Sequence, residues 1–239
     1  MLPRFVGRFG VADAVTTANA VLGFVAVVVA FADITLAARL ILLAAIADGL
    51  DGVLARRYGG TPAGPYLDSL ADVASFAVAP AVLAFVVITD GWALARDAIA
   101  PELLAVAGVC GLFVAMAVAR LGMYTAYDTE GDCTEGVQTT LAATILGAAI
   151  LAGVADPLLI LTITLGFCYL MVSRIRYPDL LARDALIMGV VHALAILIPS
   201  FAGRTFPYAL LTLGIAYMLL APWFYWREEP TPTGVYGNA

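Results

Sequence analysis

Two pairs of aspartates are the side chains most able to do chemistry in an otherwise apolar stretch. Asp48 and Asp51 are three positions apart, and Asp68 and Asp72 are four positions apart. On a helix each pair lies on one face, so two adjacent helices can present four carboxylates to one another. Carboxylate oxygens are the ligands that hard divalent cations prefer. The spacing therefore predicts a site for one or two divalent ions, which could clamp a pyrophosphate and support displacement at phosphorus.

Small residues and an arginine accompany the first pair. Gly52 and Ala55 continue the helical face of Asp48 and leave the backbone accessible to a nucleotide. Arg56 follows one turn after Gly52, and its planar guanidinium can bind phosphate oxygens. A carboxylate that is not fully engaged by metal can take a proton from an attacking alcohol. Together these residue types favour transfer chemistry at phosphorus.

Two other uses of the same acids follow from the residues alone. The aspartates could form a structural ion-pair network with Arg39, Arg56 and Arg57. They could also line the path of a cation or proton transporter, because ionisable residues at membrane depth are costly and mark functional sites. Transporters often contain two related halves with interrupted helices. The sequence has one acidic cluster and no matching second half, which favours an enzyme.

The elements that must position these residues are long apolar segments. Of the 239 residues, 63% are hydrophobic, and the mean hydropathy is +0.98, far above the values of soluble domains. Crossing the ~30 Å hydrocarbon core takes about 20 apolar residues. We expect eight spans, at residues 14–31, 36–55, 66–88, 99–121, 139–154, 158–172, 185–201 and 206–226. The sequence thus predicts an all-α polytopic membrane bundle, with residues 1–227 as a single transmembrane catalytic domain and residues 228–239 as a flexible tail.

The distribution of arginine predicts the orientation of this bundle. With eight spans, both termini lie on one side, and that side carries nine arginines against three on the other. Basic residues are retained on the cytoplasmic side of a membrane. We therefore expect both termini and the four aspartates to be cytoplasmic in the cell membrane, where a water-soluble substrate can reach them.

The overall composition carries a second signal. All twelve basic residues are arginine, and eighteen acidic residues give a net charge of −6. This lysine-free, acidic composition resembles that of proteins from salt-loving archaea, and a GC-rich genome is the alternative explanation. No nucleic-acid partner is expected. Three cysteines without paired spacing predict free thiols, with neither a disulfide framework nor a zinc site.

The aspartate stretch resembles the signature of a known family of membrane enzymes. All eight positions of the CDP-alcohol phosphatidyltransferase signature are filled, by Asp48-x-x-Asp51-Gly52-x-x-Ala55-Arg56 and Gly64-x-x-x-Asp68-x-x-x-Asp72. The resemblance implies the fold of that family and a divalent metal, Mg²⁺ or Mn²⁺ with two ions expected, bound by the four aspartates. It implies that Asp72 is the general base. The residues that it implies for binding of the CDP-lipid are Gly52, Ala55, Arg56 and Gly64. Asn19 is a further candidate for the CDP-lipid site, with an amide that packs between helices as the alternative.

Residues 36–76 and 170–178 resemble the phosphatidylserine synthase branch of this family, in a type that fits salt-loving archaea. That branch implies transfer of an archaetidyl or phosphatidyl group from CDP-archaeol or CDP-diacylglycerol to L-serine, with release of CMP. The serine carboxylate then needs a cation, and the candidates on the cytoplasmic side are Arg120, Arg174 and Arg176. The alternative role of these arginines is that of basic anchors at the cytoplasmic membrane boundary. A sibling enzyme that uses glycerol 3-phosphate or an inositol phosphate as acceptor stays open. Faces of small residues are compatible with a homodimer.

Overall fold

The computed structural model describes residues 7–96, 99–127, 133–178 and 180–225, so the predicted tail at 228–239 lies outside it. This part of the chain is mostly helical. Helices α1 to α9 span Val11–Ala30, Ile34–Tyr58, Gly64–Asp72, Ala79–Gly91, Pro101–Tyr127, Thr139–Ala152, Pro157–Leu170, Ala182–Leu197 and Thr205–Phe224. A π-helical segment, Val73–Val78, joins α3 and α4 into one continuous rod. Two short strands, β1 at Cys133–Glu135 and β2 at Arg176–Pro178, pair in an antiparallel ribbon.

Four helical stretches of the described chain are long and apolar enough to cross a membrane. They are α1, the rod Gly64–Gly91, α5 and α9. Helices α6 and α7 are apolar but have only 14 residues each, and α8 has 16. Helix α2 has 25 residues but carries the charges of the aspartate signature. The expectation of a helical membrane bundle is confirmed in its main part, and the number of eight spans stays a prediction.

Local signals explain where α2 begins and ends. Asp33 accepts hydrogen bonds from the backbone N–H groups of Thr35 and Leu36, both at 2.9 Å, which makes it the N-cap. The helix stops at Gly59, whose φ of 88° suits glycine and few other residues. Arg56 and Arg57 occupy the last turn, where cations complement the helix dipole. The first aspartate pair is consequently held on regular helix, close to its C-terminal end.

Helix α6 forms the centre of the bundle. All of its residues except Thr140 are buried, and it packs against α2 and α9. A helix that is apolar on every side is stable only inside a protein or a bilayer. By contrast, large apolar side chains such as Phe24 on α1 and Leu220 on α9 are exposed on the outside of the bundle. Hydrocarbon contact accounts for this outward apolar surface in a membrane protein.

Helix α1 lies against both α2 and the rod that carries the second aspartate pair. Gly23 permits the approach, because a Cβ atom at this position would lie 2.7 Å from the backbone N and Cα of Ser75. The hydroxyl of Ser75 donates to the carbonyl oxygen of Asn19 at 2.8 Å, which fixes the same contact. Helix α1 is thus locked to the π-helical segment directly after Asp72.

The connection between α5 and α6 differs from the one that the predicted spans at 99–121 and 139–154 imply. Helix α5 continues to Tyr127, and β1 pairs with β2 in a register that places Thr134 opposite Tyr177. Strands of three residues have no periodicity that a sequence pattern can detect. The ribbon is therefore an addition to the predicted all-α architecture. The three cysteines are free thiols, as expected.

Candidate active site

Three of the four signature aspartates form one cluster. Carboxylate oxygens of Asp48, Asp68 and Asp72 all lie within 4.8 Å of one another. Asp48 comes from the C-terminal half of α2, and the other two come from α3. Asp72 is buried, with 7% of its surface exposed, and Asp48 and Asp68 are half-buried. Three carboxylates in this arrangement fit a hard divalent cation.

The fourth acid, Asp51, faces helix α1. Its Oδ2 atom accepts a hydrogen bond of 2.6 Å from the hydroxyl of Thr16, and 6% of the residue is exposed. Asp51 is not part of the 4.8 Å group. It lies three positions after Asp48 on the same helix, about one turn away. The structure therefore arranges the predicted quartet as a group of three with a fourth acid beside it.

The negative charge of this group is not balanced by arginine within the described residues. The ion pairs found there are Arg96–Asp90, Arg176–Glu135 and Arg183–Asp184, so the network with Arg39, Arg56 and Arg57 is not formed among them. Oδ1 of Asp72 is buried and has no hydrogen-bond partner in this part of the chain. A buried charged group requires a counter-charge or hydrogen bonds. A bound cation would supply the counter-charge that the described residues do not provide.

The residues expected at the CDP-lipid lie around the end of α2. A Cβ atom at Gly52 would have one side-chain neighbour, Nη1 of Arg56 at 3.6 Å, so the helix surface beside Asp51 is open. Ala55 is half-buried and Arg56 is exposed. Gly64 begins α3 on the other side of the connecting loop. At Gly64, a Cβ atom would lie 3.7 Å from Oδ1 of Asp13 and 3.8 Å from the hydroxyl oxygen of Thr61, so this glycine borders the polar contacts at the start of α1.

Asn19 is fully buried on the face of α1 that also carries Thr16. In the described structure, neither its amide nitrogen nor its amide oxygen has a hydrogen-bond partner. Burying an unsatisfied amide is unfavourable. The predicted site residue therefore lies about one turn after Thr16, with the hydrogen-bonding capacity of its side-chain amide unused.

Asp13 is a residue of this region that the sequence patterns did not single out. Only 2% of it is exposed. Its carboxylate accepts from the hydroxyl of Thr61 at 2.9 and 3.1 Å and from the backbone N–H of Gly10 at 2.8 Å. Polar residues three apart on one face of an apolar helix, Asp13, Thr16 and Asn19, are the signal that could have revealed it.

Two of the three arginines expected to bind the serine carboxylate contact residues of strand β1. Nη2 of Arg120 donates to the hydroxyl of Thr134 at 3.0 Å, and Nε of Arg176 lies 3.2 Å from a carboxylate oxygen of Glu135. Arg174 is exposed on the connection just before β2. The ribbon thus places two of the three cations beside consecutive residues of β1.

The apolar helices and the partly buried carboxylate cluster together indicate a membrane enzyme. A sequence profile of the family described as CDP-alcohol phosphatidyltransferase matches residues 9–197. The chain belongs to the CDP-alcohol phosphatidyltransferase family, and it is a multi-pass membrane transferase of phospholipid biosynthesis. The expected family is thereby confirmed, and the transporter alternative is not supported.

One relative is similar over most of its length. The archaetidylserine synthase of Methanothermobacter thermautotrophicus is 29% identical over 170 residues, which cover 70% of this chain and 68% of that protein. Enzymes of the family use a CDP-activated lipid and an alcohol acceptor. This family typically uses a divalent metal, and the acidic cluster could bind one.

Proposed function

We propose that this protein transfers an archaetidyl-type group from a CDP-activated lipid to the hydroxyl of L-serine and releases CMP. The lipid donor is CDP-archaeol or its diacylglycerol counterpart. The observation that carries the proposal is the cluster of Asp48, Asp68 and Asp72, which lacks a counter-charge from described residues. The similarity to an archaetidylserine synthase supports serine as the acceptor.

The three clustered carboxylates would hold the divalent ion, Mg²⁺ or Mn²⁺, and Asp51 would contribute to a second ion. When bound, such ions neutralise pyrophosphate charge and stabilise the departing CMP. Asp72 is the base that the family resemblance implies, and a carboxylate oxygen of Asp72 that is not engaged by metal would accept the proton. It accepts the proton of the serine hydroxyl while the serine oxygen bonds to the lipid-side phosphorus. The bond between this phosphorus and the bridging oxygen breaks, and its electron pair leaves with CMP.

The residues at the end of α2 bind the CDP-lipid. Gly52, Ala55 and Gly64 let the nucleotide approach the backbone, and the Arg56 guanidinium binds phosphate oxygens. Asn19 offers an amide donor and acceptor that are buried and unused. The lipid chains lie along the apolar outer surface of the bundle, beside the cytoplasmic ends of the helices.

The carboxylate of the zwitterionic serine binds to cations near the ribbon, for which Arg120, Arg174 and Arg176 are the candidates. The Arg176–Glu135 ion pair is largely exposed, and such pairs contribute at most about 1 kcal/mol. Arg176 can therefore exchange this partner for a substrate at little cost.

Both termini and the site face the cytoplasm, and a homodimer is compatible with the small-residue faces.

An acceptor screen with the purified protein in lipid vesicles tests this function. CDP-archaeol and Mn²⁺ are supplied with radiolabelled serine, glycerol 3-phosphate or inositol phosphate, and CMP release and labelled lipid are measured. We expect serine alone to enter the lipid with equal release of CMP. Exclusive use of glycerol 3-phosphate or inositol phosphate would overturn the serine assignment, and no CMP release with any acceptor would overturn the transfer itself.

A further inference from the structure

The contact between Thr16 and Asp51 connects helix α1 to the acidic site, although all residues of the aspartate signature lie on α2 and α3. Thr16 lies 35 positions before Asp51, and its hydroxyl donates to Oδ2 at 2.6 Å. Both residues are buried, with 5% and 6% of their surfaces exposed. A hydrogen bond to a charged oxygen is short and strong when water is excluded. Oδ1 of Asp51 takes no part in this bond.

The proton of the hydroxyl has two acceptors to choose from. Besides Asp51, the carbonyl oxygen of Ala12 lies 3.1 Å from the Thr16 hydroxyl oxygen, at the spacing typical of threonine within a helix. The carboxylate oxygen is 0.5 Å nearer and carries more negative charge, so it is the preferred acceptor. The bond therefore stabilises Asp51 as an anion and restricts the rotation of its carboxylate.

Thr16 is itself held in place from both directions along α1. Toward the C-terminus, Gly23 and Asn19 lock the helix to Ser75. Toward the N-terminus, Asp13 is bonded to Thr61 in the loop between the aspartate pairs. The hydroxyl consequently has a fixed position relative to both helices that carry the acids, which a surface threonine would not have.

We propose that Thr16 is a positioning residue that orients Asp51 for a divalent cation. This inference rests on the proposed function, because it takes Asp51 as a metal ligand. Hydrogen-bonding partners of ligating carboxylates orient them, and their loss typically costs about 10- to 100-fold in metal affinity. Thr16 acts through Asp51 and does not touch the substrate. Its hydroxyl, rather than its shape, is the functional group.

The test measures Mn²⁺ binding to the full chain without CDP-lipid or serine. Free Mn²⁺ is monitored by its electron paramagnetic resonance signal. Thr16→Val removes the hydroxyl and keeps the side-chain shape, and Thr16→Ser keeps the hydroxyl. We expect Thr16→Val to weaken the affinity about tenfold, with Thr16→Ser within about twofold of the wild type. Thr17→Val is the matched control, since the Thr17 hydroxyl bonds only to backbone carbonyls of its own helix in the described structure.

A double-mutant cycle separates positioning from a loss of packing. In an Asp51→Asn background, Thr16→Val should change Mn²⁺ affinity by less than about twofold, because the group through which it acts has been altered. Wild-type affinity in Thr16→Val, or equal losses in Thr16→Val and Thr16→Ser, would overturn the inference. Either result can occur while the wild type transfers to serine, so the proposed function can survive. Conversely, the protein could fail to use serine while its Mn²⁺ binding still depends on Thr16. That result would overturn only the assignment of serine as the acceptor.

Discussion

The hydroxyl of Thr61 donates to the carboxylate of Asp13, 48 positions earlier in the chain, at 2.9 and 3.1 Å. Thr61 lies in the loop that connects the two aspartate pairs, and Asp13 lies in the first turn of α1. A Cβ atom at Gly64 would also be 3.7 Å from Asp13, so the carboxylate borders the start of α3. This contact ties the geometry of the acidic cluster to the beginning of the first helix.

The contact predicts that Asp13→Ala impairs both stability and turnover. The variant leaves the Thr61 hydroxyl and the Gly10 N–H without their acceptor, which we expect to cost about 1–3 kcal/mol. CMP release should also fall, because the loop between the acid pairs loses its anchor. Thermal unfolding and CMP release measure the two effects. The control is Asp33→Ala, which removes the N-cap of α2 at a cost of about 1 kcal/mol and should leave CMP release unchanged below the melting temperature.

The contact between Gly23 and Ser75 predicts that Gly23→Ala is destabilising. The new Cβ atom would meet backbone atoms at 2.7 Å, which cannot rotate away, so α1 must shift from the rod. Overpacking of this kind costs about 1–3 kcal/mol. Gly108→Ala is the matched change, because a Cβ there has no neighbour within 4 Å and alanine favours a helix. A melting temperature for Gly23→Ala at or above that of Gly108→Ala would contradict the close approach.

Substitutions of two adjacent arginines on α2 should differ in their effect on the KM for the lipid donor. Arg56 reaches back over Gly52, whereas Arg57 stacks on Tyr58 with its guanidinium carbon 5.6 Å from the ring centroid. Loss of a charged hydrogen bond costs about 1.5–3 kcal/mol, so Arg56→Gln should raise KM for CDP-archaeol at least about tenfold. Arg57→Gln should change it less than about twofold. Equal KM values for the two variants would remove Arg56 from the donor site.

Removal of divalent ions should stop the reaction reversibly. The cluster is made of carboxylates, which bind Mg²⁺ and Mn²⁺ through oxygen. We expect a chelator to abolish CMP release and added Mn²⁺ to restore it. In Asp48→Asn the Mn²⁺ concentration for half-maximal rate should rise above the wild-type value, because one ligand charge is lost. Full activity after exhaustive chelation would contradict a metal-dependent site.

Much of the helical architecture and the shared helical face of Asp68 and Asp72 could be predicted from the sequence, because both depend on local periodicity. Helical spacing places Asp68 and Asp72 on one face of α3 whatever the rest of the chain does. The predicted helix at 139–154 is found at Thr139–Ala152 for the same reason. Such features require only the chain geometry within a few turns.

What could not be predicted depends on contacts between distant parts of the chain. The orientation of Asp51 is set by Thr16 on another helix, and the partner of Asp13 is in a loop 48 residues away. The π-helical segment after Asp72 follows no residue pattern that distinguishes it from an α-helix. The ribbon contains Arg176 and contacts Arg120. It forms between two segments that are far apart in the sequence, so no local pattern predicts it.

The most direct test of the acidic cluster is CMP release from CDP-archaeol with L-serine and Mn²⁺ in the variant Asp72→Asn. Loss of a general base costs about 10²–10⁴-fold, so the variant should fall at least about a hundredfold below the wild type while remaining folded. Asp90→Asn, which alters an acid paired with Arg96 away from the cluster, should release CMP at the wild-type rate. Wild-type release of CMP by Asp72→Asn would contradict the account.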